Sequence, residues 1–329
     1  MIQSKKDREG GGEMKERLLW GGILIIVFSW IGNYAYFQSK QLDHPIFLDH
    51  FYEAKLGEGA SFTFYYLTNK RDPAEVTHVQ IDGVEMVTVL NDGYGFDVWQ
   101  NSSEPSFVQE YRHHYLKSVT LEFNEEFIEL NQTEPSLTFE TMKVFFNDQS
   151  SVLADVGIVN LYREDRNLHV LDSQMSSSSN QHRSEETLVT REPISIEEIT
   201  IPFPEKLAGE VAVKVDLNQI RLKELEKVRN SGDMPAWFEE NREREWEEIA
   251  GVPIEEKELF PVHLKKNEWM HVNMYFNPDR TSFFEFGIHI KGKSGESGHT
   301  FHQKLPIIDH PYLGQQNIDE IIAEKEGGQ

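Results

Sequence analysis

The first pattern along the chain is an unbroken apolar run close to the N-terminus. It begins at Leu18, ends at Phe37 and contains no charged residue, and a helix needs about 20 such residues to cross a bilayer. Tyr34 and Tyr36 near its end are typical of the aromatic belt at a membrane interface. We therefore predict a transmembrane anchor at residues 18–37, with the lipid bilayer as its partner.

The flanks of this run favour an anchor over a cleaved signal peptide or a buried helix. Residues 18–31 have the length of the apolar region of a signal peptide, but no clear small-residue cleavage site follows. A buried helix of a soluble domain is the third possibility. Five basic residues lie in residues 1–17 and two in residues 38–57. Because the side richer in Lys and Arg stays in the cytoplasm, we expect residues 1–17 to be a cytoplasmic tail and the remainder to lie outside.

From residue 45 onward, apolar and polar residues alternate as in half-buried β-strands. Residues 77–90 keep this period on both sides of Asp82-Gly83, a dipeptide typical of type I′ hairpin turns. Further strands are predicted near residues 62–67, 94–98, 116–123, 137–146 and 156–162. Many short strands separated by Gly, Asn and Asp turns indicate a first β-sandwich-like domain at residues 45–171.

A serine-rich segment then interrupts the strand pattern. Residues 172–187 contain six serines and only one large apolar residue, Met175. Such a composition offers little apolar surface to offset the entropy of ordering the chain. We therefore predict a linker or loop without backbone pairing at residues 172–192. A disordered loop within a single domain is the alternative.

Strand patterns return in residues 193–329, where a helical section interrupts them at about residues 216–250. Pro235 fits the first turn of a helix, and we predict one helix over residues 235–250. A short helix around Ile321 ends the chain. The predicted fold class is mainly β, with one N-terminal transmembrane helix followed by two β-sandwich-like domains, the second with inserted α-helices.

Charge and cysteine content narrow the function classes. The chain has 56 Asp and Glu against 32 Lys and Arg, a formal net charge of −24. Such a surface repels nucleic acid backbones, so we expect no nucleic acid partner. There is no cysteine, which excludes disulfides, thiolate metal sites and cysteine nucleophiles and fits a bacterial exported protein.

Candidate chemical motifs are few. Residues 287–294 satisfy the Walker A pattern of nucleotide-binding loops, but Ile288 and Ile290 alternate as in a strand, so we expect a strand followed by a turn and no nucleotide. Two histidine pairs are present, namely His113-His114 and His299 with His302. In strands, residues one or three apart point to opposite faces, so neither pair forms a metal site. We predict no catalytic, cofactor-binding or metal-binding residues.

The aromatic residues of the predicted helix 235–250 are the candidate interface: Trp237, Phe238 and Trp246. At 3.6 residues per turn they cannot all face one core, and exposed aromatic residues often anchor interfaces. We expect a non-enzymatic, membrane-anchored extracytoplasmic binding or assembly protein of the cell membrane, with an envelope protein or a cell-wall glycan as partner. The alternatives are a cell-envelope hydrolase whose site is not visible in the sequence and a carbohydrate-binding envelope module.

Overall fold

The protein is mainly β structure with one long apolar helix at its N-terminus, as the sequence predicts. The structure is a computed structural model and describes residues 10–57, 60–90, 106–128, 136–163, 169–179, 182–226, 228, 234–295 and 298–327. The described helices are α1 (Gly10–Gln38), α2 (Gln219–Leu222), α3 (Ala236–Glu243) and α4 (Gln315–Gly327).

The described strands of the first half are β1 (Ile46–Phe47), β2 (His50–Lys55), β3 (Ala60–Asn69), β4 (Val76–Gln80), β5 (Thr88–Leu90), β6 (Gln109–Glu110), β7 (His114–Phe123), β8 (Ser136–Phe146) and β9 (Ser151–Tyr162). Those of the second half are β10 (Leu171–Ser179), β11 (Arg183–Thr190), β12 (Ile194–Thr200), β13 (Val211–Asp216), β14 (Val252–Pro253), β15 (Val262–Leu264), β16 (Trp269–Phe276), β17 (Phe283–Ser294) and β18 (Thr300–Asp309). The Walker-like residues 287–294 therefore lie in a strand, as expected.

Helix α1 is long and apolar enough to cross a membrane between Leu18 and Gln38. None of the most apolar window of this segment is buried by the described chain, and Trp30 is 78% exposed. Leaving apolar surface in water costs about 25 cal/mol per Å². A helix of this length and composition suits the interior of a bilayer instead.

The strands form three sheets. The first small sheet has the order β1-β3-β7-β5, with β6 also on β7, and the second small sheet has the order β10-β11-β16-β13-β14. The large sheet has the order β15-β12-β17-β2-β9-β8-β4, and β18 also pairs with β17. The large sheet therefore contains strands from both halves of the chain.

The large sheet forks at β17. Strand β18 pairs along nearly all of β17, from Phe284 to Lys293, and so occupies one edge. On the other edge, β2 pairs in parallel with Phe283–Glu285, while β12 pairs in antiparallel fashion with residues 289–294. Because β2 and β12 share one edge, they must separate between these two stretches.

Two cores lie on the two branches of this fork. The first core packs the first small sheet against β4, β8 and β9, and the second core packs the second small sheet against β12, β15, β17 and β18. Strands β2 and β17 contribute to both, since successive side chains point to opposite faces. Tyr52 and Phe283 enter the first core, while Phe51 and Phe284 enter the second.

The predicted unpaired linker is wrong for most of its length. Residues 171–179 form β10, which pairs with β11 in a hairpin, and β11 in turn pairs with β16. Strand β10 lies at the edge of its sheet, so Ser173, Ser176 and Ser178 stay exposed. An edge strand needs few apolar residues because its partner, which buries Leu188 completely, supplies the core contacts.

The predicted hairpin around Asp82-Gly83 is also wrong. A turn is present there, since the Val84 amide donates to the Ile81 carbonyl at 3.1 Å and Gly83 has a φ of 81°. The flanking strands do not pair, however, because β4 belongs to the large sheet and β5 to the first small sheet. The turn thus carries the chain from one layer to the other, and the predicted strand at residues 94–98 lies outside the described residues.

The end of the chain returns to the first core. Helix α4 confirms the predicted final helix and buries Ile318 and Ile321 in that core. Lys325 donates to Asp49 at 2.6 Å and to Asp155 at 3.2 Å, which fastens α4 to the large sheet. The domain boundaries 45–171 and 193–329 stay a prediction. The large sheet and the first core both contain residues from the two halves of the chain.

A close backbone approach in the large sheet allows only glycine at one position. Gly157 of β9 has a φ of 86°, and a Cβ there would lie 2.4 Å from the His50 carbonyl oxygen. Gly209 has a nearly identical φ of 84° but no atom within 4 Å of its ideal Cβ. Substitution at both positions causes backbone strain, and only substitution at Gly157 also causes steric overlap.

We expect Gly157→Ala to destabilise the protein much more than Gly209→Ala. Both variants carry a left-handed strain of about 1–2 kcal/mol, and only Gly157→Ala adds overpacking of about 1–3 kcal/mol. Denaturant unfolding in matched detergent gives both free energies. Equal losses in the two variants would contradict the close approach.

Candidate functional site

A layer of polar side chains lies buried on the outer face of the second small sheet. Two rows cross β11, β16 and β13: Thr187, His271 and Asp216 form one row, and Glu185, Asn273 and Lys214 form the other. All six side chains are buried. Their neighbours along the strands, such as Val272, face the second core instead. We call these six residues the polar layer.

The helical section, at about residues 216–250, covers the polar layer, and we call this section the cover. Leu222, Leu225 and Phe238 of this section form a small third core together with Trp269 of β16. The rings of Trp237 and Phe238 both lie 6.2 Å from the His271 ring. The cover thus consists of apolar residues that shield the polar layer from water.

The first row is tied to the start of the cover. Asp216 forms an ion pair with Arg221, and its carboxylate accepts a hydrogen bond from the Asn218 amide at 3.0 Å. Asn218 caps the N-terminus of α2, as Asn commonly does. The Arg221 guanidinium lies 4.8 Å from the centre of the Trp237 ring, so one buried carboxylate orients both the helix and an aromatic residue.

Lys214 fixes the other end of the cover. Its ammonium group donates to the carbonyl oxygens of Trp246 at 2.7 Å, Ile249 at 3.3 Å and Glu247 at 3.4 Å, and lies 4.7 Å from the centre of the Trp246 ring. Burial lowers the pKa of Lys214. In an α-helix these carbonyl oxygens would all point along the helix axis. Here they converge on the Lys214 ammonium group instead.

The single helix predicted over residues 235–250 is therefore wrong. Helix α3 ends at Glu243, and only a short 3-10 turn follows at Trp246–Glu248. The convergence of carbonyl groups on Lys214 gives the physical reason. The inserted helical section itself is confirmed, but its aromatic residues do not share one helix, so the angular argument for them does not apply.

His271 is the most strongly perturbed group of the layer. Its Nδ1 shares a hydrogen bond of 2.8 Å with the Thr187 hydroxyl, and its Nε2 lies 3.9 Å from a Glu185 carboxylate oxygen. Burial lowers the pKa of His271 to about 4, because an imidazolium would lose its hydration there. The ring is consequently neutral at physiological pH.

A second cluster of charged groups lies near the fork of the large sheet. The buried Glu53 carboxylate contacts His289 Nε2 at 2.8 Å and Lys304 Nζ at 2.9 Å. Burial alone would raise the pKa of Glu53, but the hydrogen bonds from His289 and Lys304 outweigh it and lower the pKa. The His302 ring lies 4.9 Å from the His289 ring, and Lys304 Nζ lies 3.3 Å from the centre of the Tyr162 ring.

The three candidate interface residues are buried to different extents in the cover. Phe238 is 1% exposed and belongs to the third core, so the structure does not place it at a surface. Trp237 and Trp246 are half-buried. Trp246 stacks on Tyr275 with ring centres 5.5 Å apart, while Trp237 contacts Phe238 at 5.7 Å. Only the two tryptophans can present part of their rings to a partner.

An open groove adjoins the cover, between strand β10 and the helical section. Its volume is about 1330 Å³. Its wall combines apolar side chains with charges of both signs, including Met175, Val189, Leu225, Lys223, Lys265, Lys266, Asp172, Glu226 and Glu268. Within the described ranges, no group of three or more His, Asp or Glu side chains is arranged to hold a metal ion.

Sequence patterns did not identify the polar layer or the Glu53 cluster. Glu185 and Thr187 fall in the segment predicted as a linker, and Glu53 lies in β2 between Tyr52 and Ala54. The usable signal was a charged residue inside an otherwise apolar strand pattern, as with Lys214 in β13. The partners of such a residue come from distant strands.

Comparisons with known proteins identify no family. No known family model matches the chain, and no curated protein matches it. Among solved structures, it is similar to a protein of unknown function from Porphyromonas gingivalis, at 8% identity and a TM-score of 0.20 over 81% of this chain and 96% of that one.

A second similar structure contains the manganese lipoxygenase of Gaeumannomyces graminis and part of zonadhesin of Komagataella pastoris. Here the identity is 11% and the TM-score 0.21, over 82% of this chain and 94% of that one. TM-scores this low do not establish a shared fold. The chemistry of the site therefore rests on the residues described above.

We expect the stability of the protein to fall between pH 6.5 and about 4 through His271. Its folded pKa of about 4 lies below the unfolded value, so the unfolded chain binds the proton first as the pH falls. This group contributes up to about 3 kcal/mol, fully present above pH 6.5. His271→Gln should flatten the pH dependence of the unfolding free energy, and the exposed control His78→Gln should not. Identical profiles for wild type and His271→Gln would contradict the assignment.

Proposed function

We propose that this chain is a membrane-tethered binding or assembly protein without enzymatic activity, whose β-rich body lies outside the cytoplasm. The observation that carries the proposal is the contrast between α1 and the body. The apolar window of Leu18–Gln38 is not buried by the described chain, whereas the body attached to it buries two extensive cores. A helix that the body does not cover supports a role as a tether.

The character of the polar layer supports a binding role over a catalytic one. His271 is 1% exposed and Asp216 is 6% exposed, and the cover separates both from solvent. A catalytic group must reach the proton or atom on which it acts. The layer instead holds a cover of half-buried aromatic residues in place, and such a rigid surface is suited to binding.

Charge supports the extracytoplasmic position. Five basic residues precede the apolar segment, and their side of the helix is the cytoplasmic one by the positive-inside rule. The net charge of −24 keeps the body soluble. The partner we propose is another envelope component, a protein or a cell-wall glycan.

Reporter fusions test the topology. We expect a reporter that is active only in the cytoplasm to be inactive when fused after Gln329 and active when fused before Met1. A reporter active only outside the cytoplasm should show the reverse. Cytoplasmic activity at the C-terminus would reverse the orientation. A mature chain that begins near residue 36 would show a cleaved signal peptide in place of the tether.

Alanine substitution tests the binding surface. We expect Trp246→Ala to weaken crosslinking to the envelope partner in intact cells while the protein stays folded. Phe238→Ala should cost about 3–5 kcal/mol of stability, because it empties a buried site. Leu153→Ala, at a 70% exposed position of β9, is the control that should change neither quantity. Crosslinking that is unchanged in Trp246→Ala, or lost equally in Leu153→Ala, would contradict this surface.

A further inference from the structure

Helix α1 joins the body through a very short connection. The Lys40 carbonyl accepts a hydrogen bond from His114 Nε2 at 3.0 Å. The Asn69 side-chain amide bonds to the backbone amide and carbonyl of Leu42 at 2.9 and 2.8 Å. Leu42 follows Gln38 by four residues, which span at most about 14 Å when fully extended. The body edge that receives the helix therefore lies close to its end.

Aromatic contacts also place this edge of the body directly against the end of α1. The rings of Tyr36 and Phe37, in the last turns of α1, lie 6.2 and 6.3 Å from the His113 ring. The headgroup layer on each side of a bilayer is about 5–8 Å thick. When the apolar segment is embedded, His113 consequently lies at the level of the headgroups.

Three chain segments surround His113. The Lys70 amide donates to the His113 carbonyl at 3.1 Å, which places Arg71 beside it. The Arg112 amide donates to the Gln315 side chain at 2.9 Å, and the Tyr111 hydroxyl donates to the Leu313 carbonyl at 3.1 Å. Residue 312 is therefore also held near the end of α1.

The exposed side chains of this region differ from the rest of the surface. We define the anchor-side face by Lys40, Arg71, Arg112, Ile308 and Tyr312, all of which are exposed. Ile308 is 69% and Tyr312 84% exposed, and both line one surface cavity. Among the described residues, none of the three cations forms an ion pair.

The charge of this face also sets it apart. Its three cations are accompanied by three exposed carboxylates, namely Asp43 and Asp72 on the same turns and Asp319, which accepts a hydrogen bond from Gln315 at 2.9 Å. The local charges therefore balance, in a chain whose net charge is −24. An acidic body is repelled by anionic headgroups, whereas this face is not.

We propose that the anchor-side face rests on the headgroup layer of the bilayer that α1 spans. Tyr312 and Ile308 lie in the interface, where tyrosine is enriched. Lys40, Arg71 and Arg112 face lipid phosphates. The proposal rests on the proposed function, since it requires α1 to be embedded. The partner is a lipid surface, and the contact fixes the tilt of the body on the membrane.

The absence of cysteine makes a direct test possible, because each introduced cysteine is a unique labelling site. The full chain is reconstituted into vesicles with a fluorophore at Tyr312→Cys, Ile26→Cys or Ile220→Cys. Ile220 is the matched control, since it is 86% exposed and lies on α2, on the outer side of the second small sheet. Quenching is measured with nitroxides on the lipid headgroup or in the middle of the acyl chain.

We expect the label at position 312 to be quenched by headgroup nitroxides several-fold more than the label at position 220. The label at position 26 should be quenched by mid-chain nitroxides. In vesicles of phosphatidylcholine with added phosphatidylglycerol, Arg71→Gln with Arg112→Gln should reduce quenching at position 312. Each cation near an anionic surface contributes roughly fivefold to the contact equilibrium. The same pair should have little effect in pure phosphatidylcholine.

The outcomes separate this proposal from the proposed function. Strong mid-chain quenching at position 26, together with equal headgroup quenching at positions 312 and 220, would overturn the membrane contact and leave the tether intact. Weak mid-chain quenching at position 26 would overturn the tether itself. Thermal unfolding of the labelled variants, expected to match the wild type because the substituted side chains are exposed, confirms that each variant is folded.

Discussion

A single buried histidine joins the layers on which the remaining structure is built. His50 Nδ1 donates to the Val156 carbonyl at 3.1 Å, and Nε2 accepts the Tyr65 amide at 2.9 Å. One neutral ring thus connects the large sheet to the first small sheet, and burial lowers its pKa to about 3. Phe283 stacks against the same ring. The close passage of Gly157 and the position of β2 beside β17 meet at this residue, because His50 pairs with Gly157 on one side and with Phe283 on the other.

Local patterns predicted those parts of the fold whose stabilising contacts are local or repetitive. The apolar run of α1, the alternation in β3, β8 and β17, and the isoleucines of α4 each carry their signal within one segment. The serine-rich β10 and the turn at Asp82-Gly83 do not. An edge strand takes its stability from its neighbour, and a turn between layers has the same residues as a hairpin turn. Their structures depend on partners far away in sequence.

The candidate site shows the same limit more strongly. The polar layer exists because β11, β16 and β13 are in one particular register, which no local period specifies. Lys214 then decides where the helical section bends, so even the length of α3 depends on a residue of another element. Sequence analysis gave the aromatic residues of this section as a candidate interface, which stays a prediction. The sequence could not predict how deeply each side chain is buried, which differs between Phe238 and the two tryptophans.

The fork also determines how the body carries mechanical load. Within the described chain, backbone hydrogen bonding between the strands of the first and second cores passes through the three residue pairs that join β2 to β17. Helix α1 leads into β1 and β2, and Lys325 fastens α4 to Asp49, just before β2, and to Asp155 of β9. For a protein tethered and bound as proposed above, tension between α1 and a partner on the second small sheet would load this seam, which consists of these three pairs.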